Sequence, residues 1–521
     1  MKHSLSLIPQ VNGNIADERT RFALSSDSLI QIEPGFEFAA EDLLRFLERH
    51  YNLRLTISSH TALPIFEHTQ AGIINFCHDS GMVHPEGYQI TIANGICDIT
   101  AQTATGALYA VQTIKQLFHS AVPELPAVKV YDEPLYRWRG FMLDSARHFC
   151  PVGEIERILD MMLYLKMNKF HWHLTDDQGW RMEINDYPLL SQVGGLSAPS
   201  PGFYTTEELH YIVSYAEKRG ITVIPEVDLP GHCLSLLAAY PELGCSGGPY
   251  VIPSEPGIFY ELLCLGNDDA LSFSKRLIDY ICDIFPGPWI HIGGDEIPTR
   301  RWKECPKCQE RMKEEHLSNS RELHTWFANR LQEYAAAKGK NLITWNDGID
   351  EKLSRDIICQ FWFPYHNAYE KAVAESKRGR KFIMSDYFST YLDLSQAVVP
   401  LKATYAYTGH LHAGKEAAQE HAILGIEAPL WSEHISDRRS RDKQLFPRIL
   451  AVAESCWTDA EAKNLHDFIK RVDHLKGFFQ TEFSIDGNMY RRDPFVLIRF
   501  LKKAIRIISM LRQAVSPNRE K

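Results

Sequence analysis

From Arg137 onward, apolar stretches rich in β-branched residues alternate with amphipathic helical patterns, and this alternation restricts the fold more than any other feature of the sequence. A chain of this kind forms parallel strands that are joined by helical crossovers. Helices are predicted at 154–166, 207–219, 270–285, 321–338, 367–377 and 441–455, with weaker ones near Glu351 and Lys415. Eight strands are predicted, at 139–144, 169–174, 221–227, 289–292, 341–345, 357–362, 382–385 and 422–427.

Eight alternating units are the period of a (β/α)8 barrel, in which helices surround a closed parallel sheet. A doubly wound open sheet is the alternative, but such a sheet usually carries a glycine-rich phosphate-binding loop after its first strand. No such loop follows the first predicted strand. The sequence therefore predicts an α/β protein whose catalytic domain is a TIM barrel at residues 136–490.

The residues before the barrel predict a small, non-catalytic α/β domain at 1–135. Asn94-Gly95 separates two alternating segments, at 88–92 and 96–100, and this dipeptide favours a two-residue hairpin turn. After the barrel, residues 491–521 are expected to hold a helix, at 493–511, whose apolar face docks on the barrel. The other predicted N-terminal elements are an extended segment at 22–32, strands at 53–58 and 71–77, helices at 39–51 and 105–118, and a linker marked by Pro123, Pro126 and Pro134.

Charge and hydropathy exclude several functions. Lys and Arg number 56 against 66 Asp and Glu, which gives a net charge of −10, so no nucleic-acid partner is expected. No apolar stretch approaches the roughly 20 residues that span a bilayer, and the first residues lack the apolar core of a signal peptide. Eleven scattered cysteines suit a reducing compartment. We therefore expect a cytoplasmic protein, unless a leader preceded this sequence and directed secretion. The oligomeric state is open, with a monomer as the simplest case.

Polar residues at the carboxyl ends of the predicted strands are the candidates for chemistry, because barrel active sites form at that face. A solvated barrel mouth always carries some acids, so it is the coincidence across five strands that indicates a site. The candidates are Asp144, Arg147, Asp176, Asp177, Glu226, Asp228, His232, Asp295, Glu296, Trp431 and Glu433.

The pair Asp295-Glu296, directly after Gly293-Gly294, is the strongest single indication of catalysis. The glycines allow a ligand or a neighbouring backbone to approach closely. Adjacent strand residues face opposite sides, so the two acids are expected to have different roles. One carboxyl kept protonated would be a general acid, while the other, ionised, would orient a ligand or stabilise a cation.

Aromatic residues at the strand ends give the second indication. A single aromatic side chain is more often part of a core than a platform for a ligand. Flat rings grouped at a barrel mouth beside acids and an arginine nevertheless favour stacking on a sugar, so carbohydrate is the expected substrate class. The residues concerned are Trp172, Trp180, Trp345, Trp362, Tyr391 and Trp431.

Two patterns resemble metal sites without completing one. His171 and His173 have His-x-His spacing, but the fifth and sixth strands end without further histidines, so a hydrogen-bonding role is favoured and no metal or cofactor is expected. Cys305 and Cys308 form a lone CxxC, for which a surface loop is the simpler interpretation. A Gly-x-Ser-x-Gly elbow is missing from the sequence, which argues against an α/β-hydrolase.

Six motifs, in order, resemble those of the β-N-acetylhexosaminidases of glycoside hydrolase family 20, and GALYAVQTIKQLF at 106–118 is similar to the end of that family's small N-terminal domain. The resemblance implies an exo-acting, retaining enzyme that removes terminal N-acetylglucosamine or N-acetylgalactosamine, with the substrate's 2-acetamido carbonyl as the nucleophile. The motifs are WRGFMLDSARHF at 138–149, HWHLTDDQGWR at 171–181, VDLPGH at 227–232, HIGGDE at 291–296, Tyr391-Leu-Asp393 and APLWSE at 428–433.

The same resemblance implies the roles of individual residues. Glu296 is the general acid and then the base, while Asp295 orients the acetamido N–H and stabilises the positive charge that develops there. Tyr391 would donate a hydrogen bond to the acetamide oxygen. The other implied roles are enclosure of the sugar by Trp345, Trp362 and Trp431, hydroxyl binding by Arg139, Asp393 and Glu433, and positioning of the acid by Asp176, Asp177 and His232.

Two places depart from the family pattern. Asn346-Asp347 follows Trp345 where the family often has another acid, so the contacts beyond Trp345 stay open. Near the seventh strand a further pocket tryptophan is missing; either Tyr405 or Tyr407 replaces it, or the pocket is wider and accepts both sugar epimers. A catalytically weak sugar-binding barrel and a metal-dependent barrel hydrolase are the alternative functions.

Overall fold

A computed structural model describes residues 5–59, 72–118, 121–364, 367–411 and 421–485 of the chain. The C-terminal helix expected at 493–511 and the weaker helix expected near Lys415 lie outside these residues. Within the described ranges, no helix is long and apolar enough to cross a bilayer.

Eight parallel strands close into a barrel, which confirms the fold predicted from the alternating pattern. Each strand pairs with the next along the sequence, and the eighth pairs with the first through residues such as Ile426 and Arg139. The barrel strands are Trp138–Asp144, Lys169–His173, Thr222–Glu226, Trp289–His291, Asn341–Trp345, Ile358–Phe361, Phe382–Met384 and Ile423–Leu430, and a small ribbon of Thr175–Asp176 and Gly179–Trp180 follows the second.

Amphipathic helices pack around the barrel. The helix Asp268–Ile284 illustrates the pattern: Asn267 caps its first turn, and Phe273, Leu277 and Ile281 form its buried face. The other α-helices are Val152–Tyr164, Thr206–Glu217, Leu234–Ala239, Arg300–Glu304, Pro306–Glu314, Ser320–Ala336, Ala368–Lys377, Leu401–Ala406, Arg438–Leu445, Arg448–Trp457 and Leu465–Glu482. A π-helix is formed by Leu190–Leu196, and short 3-10 helices by Pro241–Leu243, Asn346–Gly348 and Ala460–Ala462.

Two helices differ from their predictions. The helix expected at 441–455 is divided in two at Phe446-Pro447, because proline lacks an N–H and disfavours the helical conformation of the residue before it. Around Glu351 the chain forms turns instead of a helix. The carboxylate of Asp350 accepts hydrogen bonds from the backbone N–H groups of Lys352 and Leu353, at 2.6 and 3.1 Å, which stabilises a turn in place of helical hydrogen bonds.

The N-terminal domain is a seven-stranded mixed sheet covered by the helices Glu37–Tyr51 and Ala104–Leu117. The hairpin across Asn94-Gly95 is present, with Ala93 paired to Ile96. The prediction of a proline-marked linker is wrong, because most of this segment forms the strand Glu124–Asp132. Pro126 lies in that strand beside a register shift, where its missing N–H costs little. The strands are Gly13–Ala23, Leu29–Ile32, Thr56–Ser59, Ile73–His78, Tyr88–Ala93, Ile96–Ala101 and Glu124–Asp132.

A buried ion pair joins the two domains. The guanidinium of Arg139, at the amino-terminal end of the first barrel strand, donates to both carboxylate oxygens of Glu86, at 2.7 and 3.0 Å. It also lies over the rings of Tyr109 and Trp457, with its Cζ 5.5 and 5.2 Å from their centroids. Burial alone would raise the pKa of Glu86, but the charge of Arg139 outweighs it and lowers that pKa to about 2.

Replacing Arg139 with Met is expected to destabilise the protein by about 3 kcal/mol, because Glu86 would remain as a buried carboxylate without its counter-charge. Since the pKa of Glu86 is lowered from 4.5 to about 2, the pair stabilises the fold fully above pH 4.5 and less as pH falls toward 2. Denaturant unfolding measures the change, with Arg137→Met as the control, since Arg137 is the exposed arginine two residues earlier. A raised KM with unchanged stability would contradict this structural role.

Candidate active site

The turn that carries the two adjacent acids follows the fourth barrel strand and depends on its glycines. Gly293 and Gly294 have φ of 63° and 89°, and a Cβ on Gly293 would lie 2.0 Å from Oδ1 of Asp228. The N–H of Gly294 donates to that same oxygen at 3.1 Å. The Thr344 hydroxyl, from the fifth strand, donates to the Gly293 carbonyl at 2.6 Å. Neighbouring strands therefore hold the turn on both sides, and only glycine fits it.

Glu296 lies at the end of this turn with its side chain 27% exposed. Its backbone, at φ 52°, is in the left-handed region, and its N–H donates to Asp347 at 3.3 Å. The pKa of the Glu296 carboxyl is raised to about 8. Burial is the largest cause, the charges of Asp295 and Asp347 add to it, and His232 opposes it. Glu296 is therefore a neutral acid at pH 7, as a proton donor must be.

His232 connects Glu296 to a pair of buried aspartates. Its Nε2 is 3.7 Å from a carboxylate oxygen of Glu296, and its Nδ1 is 3.2 Å from Asp177 and 3.4 Å from Asp176. Burial would lower the pKa of His232, but the two aspartates outweigh it and raise that pKa well above its usual value. The structure thus brings Asp176, Asp177 and His232 together beside Glu296.

Asp295, the first of the two adjacent acids, has one buried carboxylate oxygen. Its Oδ1 accepts no hydrogen bond from any residue in the described ranges. Its carboxylate lies within 4.8 Å of ligand atoms of both Asp228 and His232. A buried carboxylate oxygen without a donor is costly, so its place in the site is explained by a donor that arrives with a ligand.

Stacked rings form one wall beside the acids, and we call Trp345, Trp362, Tyr387, Tyr391 and Trp431 the aromatic wall. Trp362 and Tyr391 stack with centroids 5.8 Å apart, and Trp345 and Trp431 are also 5.8 Å apart. Hydrogen bonds fix two of the indoles: Trp345 donates to Glu226 at 2.9 Å and Trp362 donates to Asp347 at 2.6 Å.

Asp347 makes the contacts just beyond Trp345 that the sequence leaves open. Its two carboxylate oxygens accept separate hydrogen bonds, one from the Trp362 indole and one from the Glu296 backbone. Burial and the charge of Asp295 raise its pKa to about 7. Sequence reasoning did not propose a role for Asp347, although it lies two residues beyond a strand-end tryptophan.

Several predicted site residues lie elsewhere. Trp172 and Trp180 are fully buried in the main hydrophobic core, and Tyr407 is buried there as well. Tyr405 donates to Glu454 at 2.9 Å and packs on Phe468, away from the mouth. Neither Tyr405 nor Tyr407 therefore completes the pocket. The additional ring is Tyr387, whose centroid is 5.0 Å from that of Tyr391.

The prediction that Arg139 binds sugar hydroxyls is wrong, because Arg139 lies at the opposite end of its strand and is 1% exposed. The arginine at the mouth is Arg147, three residues beyond the end of that strand. Its guanidinium contacts Asp176 at 2.6 Å and lies 4.8 Å above the ring of Trp431. Glu433 is half-buried, and its negative charge helps to raise the pKa of Arg147. The charge of Asp393 helps to raise the pKa of Tyr391.

The histidines of the second strand belong to a network inside the barrel. Glu226 contacts His171, His173 and His291, the last at 2.9 Å. His171 also contacts Glu427 at 2.7 Å, on the eighth strand. These carboxylates provide the hydrogen-bond partners that the sequence interpretation assigns to the two histidines, and the network lies directly beneath Trp345.

A cleft of about 800 Å³ opens beside Glu296. Asp347 and His324 line one side of it, and Ile258 and Tyr260, from the loop after the third strand, line another. Glu296 lines this cleft, so a group bound in the cleft can reach its carboxyl.

A (β/α)8 barrel whose mouth holds a protonated carboxyl beside a second carboxylate and a wall of indoles defines a glycoside hydrolase. Residues 136–460 match the family model for the catalytic domain of glycosyl hydrolase family 20, and residues 4–133 match that for domain 2 of the same family. The chain belongs to glycosyl hydrolase family 20, the β-N-acetylhexosaminidases.

Individual relatives agree with this assignment. A β-hexosaminidase of Porphyromonas gingivalis is 36% identical, and the match covers 75% of this chain and 53% of that relative. A β-hexosaminidase of Akkermansia muciniphila is 30% identical, and the match covers 77% of this chain and 85% of that relative. The exo-β-N-acetylglucosaminidase of Vibrio harveyi, solved with N-acetylglucosamine, superposes with a TM-score of 0.81 at 26% identity, covering 95% of this chain and 79% of its own. The chitobiase of Flavobacterium johnsoniae also superposes with a TM-score of 0.81, at 31% identity, and the match covers 93% of this chain and 74% of the chitobiase chain.

Proposed function

We propose that this chain removes a terminal, non-reducing β-linked N-acetylhexosamine from oligosaccharides or glycoconjugates, with the substrate's 2-acetamido carbonyl as nucleophile, Glu296 as the acid and Asp295 as the group that binds the acetamido N–H. One observation carries this assignment: a buried, unpartnered oxygen of Asp295 lies next to a carboxyl whose pKa is raised to about 8. A donor from the substrate satisfies the first group, and the second holds the proton that the leaving group needs.

The reaction then proceeds in two steps. Glu296 gives its proton to the glycosidic oxygen while the acetamido oxygen bonds to the anomeric carbon, and the leaving group departs as an alcohol. The carboxylate of Asp295 accepts a hydrogen bond from the acetamido N–H and stabilises the positive charge of the oxazolinium-type intermediate. Glu296, now ionised, takes a proton from a water molecule as the water oxygen bonds to the anomeric carbon. The bond from that carbon to the acetamido oxygen breaks, so the sugar is released with its β-configuration and its acetamido group restored.

The aromatic wall and the charged groups at the mouth hold the sugar during these steps. Trp345, Trp362 and Trp431 enclose the ring and the acetamido methyl group, and Tyr391 donates to the acetamido oxygen. Arg147, in place of Arg139, binds ring hydroxyls together with Asp393 and Glu433. Asp176 fixes the Arg147 guanidinium and, with Asp177, keeps His232 protonated behind Glu296.

Removing the acetamido group from the substrate should nearly abolish hydrolysis. We expect 4-nitrophenyl β-glucoside to react about a thousandfold or more slowly than its 2-acetamido counterpart, because the nucleophile is lost together with the contact to Asp295. Steady-state kinetics on both compounds and on the galacto epimers make the comparison, with the acetamido pair serving as the test of epimer preference. Comparable rates with and without the acetamido group would exclude substrate assistance.

The pH profile should report the protonation state of Glu296. Because its pKa is raised to about 8, the neutral acid predominates below that pH, and kcat/KM should fall as pH rises through 8. In Asp347→Asn, the alkaline limb should move to lower pH by about 0.5 to 1 unit, because a negative charge that raises the pKa of Glu296 is removed. Asp356→Asn, at an exposed aspartate before the sixth strand, is the matched control. An unmoved limb in Asp347→Asn would contradict the assignment.

We also propose that the chain acts as a monomer in a reducing compartment. The assigned residues are grouped at the mouth of one barrel, which is compatible with a monomer. All eleven cysteines are unpaired, which suits a compartment that keeps thiols reduced. Light scattering of the purified protein and mass spectrometry of its thiols test the two parts separately.

A further inference from the structure

Four cysteines that are distant in the sequence converge where two connections of the barrel meet. Cys245 and Cys264 belong to the loop after the third barrel strand, and Cys305 and Cys308 belong to the segment after the fourth. Their four sulfur atoms all lie within 4.8 Å of one another. Cys264, Cys305 and Cys308 are buried and Cys245 is half-buried, so the expectation of a surface-loop CxxC is wrong.

Three of the six sulfur–sulfur separations match those of a tetrahedral site around one metal ion. The Sγ of Cys264 lies 3.7 Å from that of Cys305 and 3.8 Å from that of Cys308, and Cys245 lies 3.9 Å from Cys308. A tetrahedral zinc site with Zn–S bonds of about 2.3 Å has sulfurs about 3.8 Å apart. These separations are far longer than the roughly 2.05 Å of a disulfide bond.

The backbone around the sulfurs also suits thiolate ligands. Cys305 is the residue before the helix Pro306–Glu314, and Cys308 lies in its first turn, where the helix dipole favours negative charge. The Gly266 N–H donates to the sulfur of Cys264. A Cβ on Gly266 would lie 2.1 Å from the Lys307 backbone, so only glycine permits the two loops to approach this closely.

We propose that Cys245, Cys264, Cys305 and Cys308 bind one structural Zn²⁺ ion. Four thiolate ligands leave no open position for a substrate or water, so the ion takes no part in glycoside hydrolysis. Its effect is to join two loops that form the cleft. The third-strand loop also supplies Tyr260 to the cleft, and Cys305 lies nine residues after Glu296 on the same connection.

Metal analysis of the purified full chain tests the proposal. We expect about one zinc per chain after gel filtration, released as one equivalent when a mercurial blocks the thiols. Cys264→Ser should lose most of this zinc and lower the melting temperature by about 5 °C or more, because zinc no longer stabilises the folded state. Cys282→Ser should retain it, since Cys282 lies outside the cluster on the helix Asp268–Ile284.

A second measurement does not depend on the variants folding. The native chain, exchanged into Co²⁺, should show the thiolate-to-cobalt charge-transfer absorption of a tetrahedral tetrathiolate site. Absence of both zinc and this absorption would overturn the proposal, as would a disulfide between any two of the four cysteines. Equimolar iron in place of zinc would overturn the assignment of the ion. None of these readouts depends on hydrolytic activity, so failure here leaves the proposed function untouched.

Discussion

The variant Glu296→Gln should lower kcat/KM on an N-acetylhexosaminide with an alcohol leaving group by about 10²- to 10⁴-fold, because glutamine cannot supply the proton that the departing oxygen needs. The loss in kcat/KM should be smaller on the 4-nitrophenyl glycoside, because nitrophenolate leaves without much assistance. The difference between the two substrates is the specific sign of a lost acid. Parallel steady-state assays on a disaccharide and on the nitrophenyl compound measure it.

The control for this variant is Glu333→Gln, which removes an exposed carboxylate on the helix Ser320–Ala336. It should leave both rates unchanged. Glu296→Gln should also unfold at nearly the wild-type temperature, because glutamine keeps the size of the side chain and replaces a carboxyl whose pKa is raised to about 8, so that no charge is lost at pH 7. Wild-type turnover of the disaccharide by Glu296→Gln would exclude Glu296 as the acid.

The variant Asp295→Asn should lower kcat/KM by about 10²- to 10³-fold, since the negative charge beside the developing oxazolinium is lost while the side chain keeps its size. This loss differs in kind from that of Glu296→Gln. Asp295 acts on the nucleophile and Glu296 on the leaving group, so the loss in Asp295→Asn should be similar for the disaccharide and the nitrophenyl glycoside. A leaving-group dependence like that of Glu296→Gln would contradict the separate roles.

Stability measurements complete the test of Asp295→Asn. The carboxylate of Asp295 raises the pKa of both Glu296 and Asp347. The variant should therefore shift the alkaline limb of the pH profile to lower pH while the melting temperature stays close to that of the wild type, because asparagine keeps the size of the side chain and the buried Oδ1 of Asp295 has no donor to lose. A large fall in melting temperature would mean that the rate loss reflects misfolding.

Local sequence patterns predict the barrel and the acid turn well, because both depend on short-range information. The alternation of strands and helices specifies a closed parallel sheet, and Gly293-Gly294-Asp295-Glu296 is contiguous. The prediction that Arg139 binds sugar hydroxyls is wrong because it depends on a long-range contact. Arg139 lies at the start of the first barrel strand and Arg147 follows its end, and the sequence alone does not show that Glu86 binds Arg139 at the far end.

Long-range convergence is what the sequence could not show. Cys245 and Cys264 lie far from Cys305 and Cys308 along the chain, and only the packing of two barrel loops brings their sulfurs together. Tyr387 follows the seventh strand without a motif, and it joins the aromatic wall through contacts with Tyr391 and Trp362 that the sequence does not show. The elements could be predicted from periodicity, but contacts between distant loops require the three-dimensional structure.

The double role of Asp347 has a consequence for redesigning this enzyme. One of its oxygens is held by the Trp362 indole and the other by the Glu296 backbone, so a single carboxylate connects the shape of the sugar pocket to the titration of the acid. The indole hydrogen bond lowers the pKa of Asp347, and the Asp347 charge in turn raises that of Glu296. Selectivity and working pH are therefore linked traits, and a variant library that enlarges the pocket at Trp362 should be screened at several pH values.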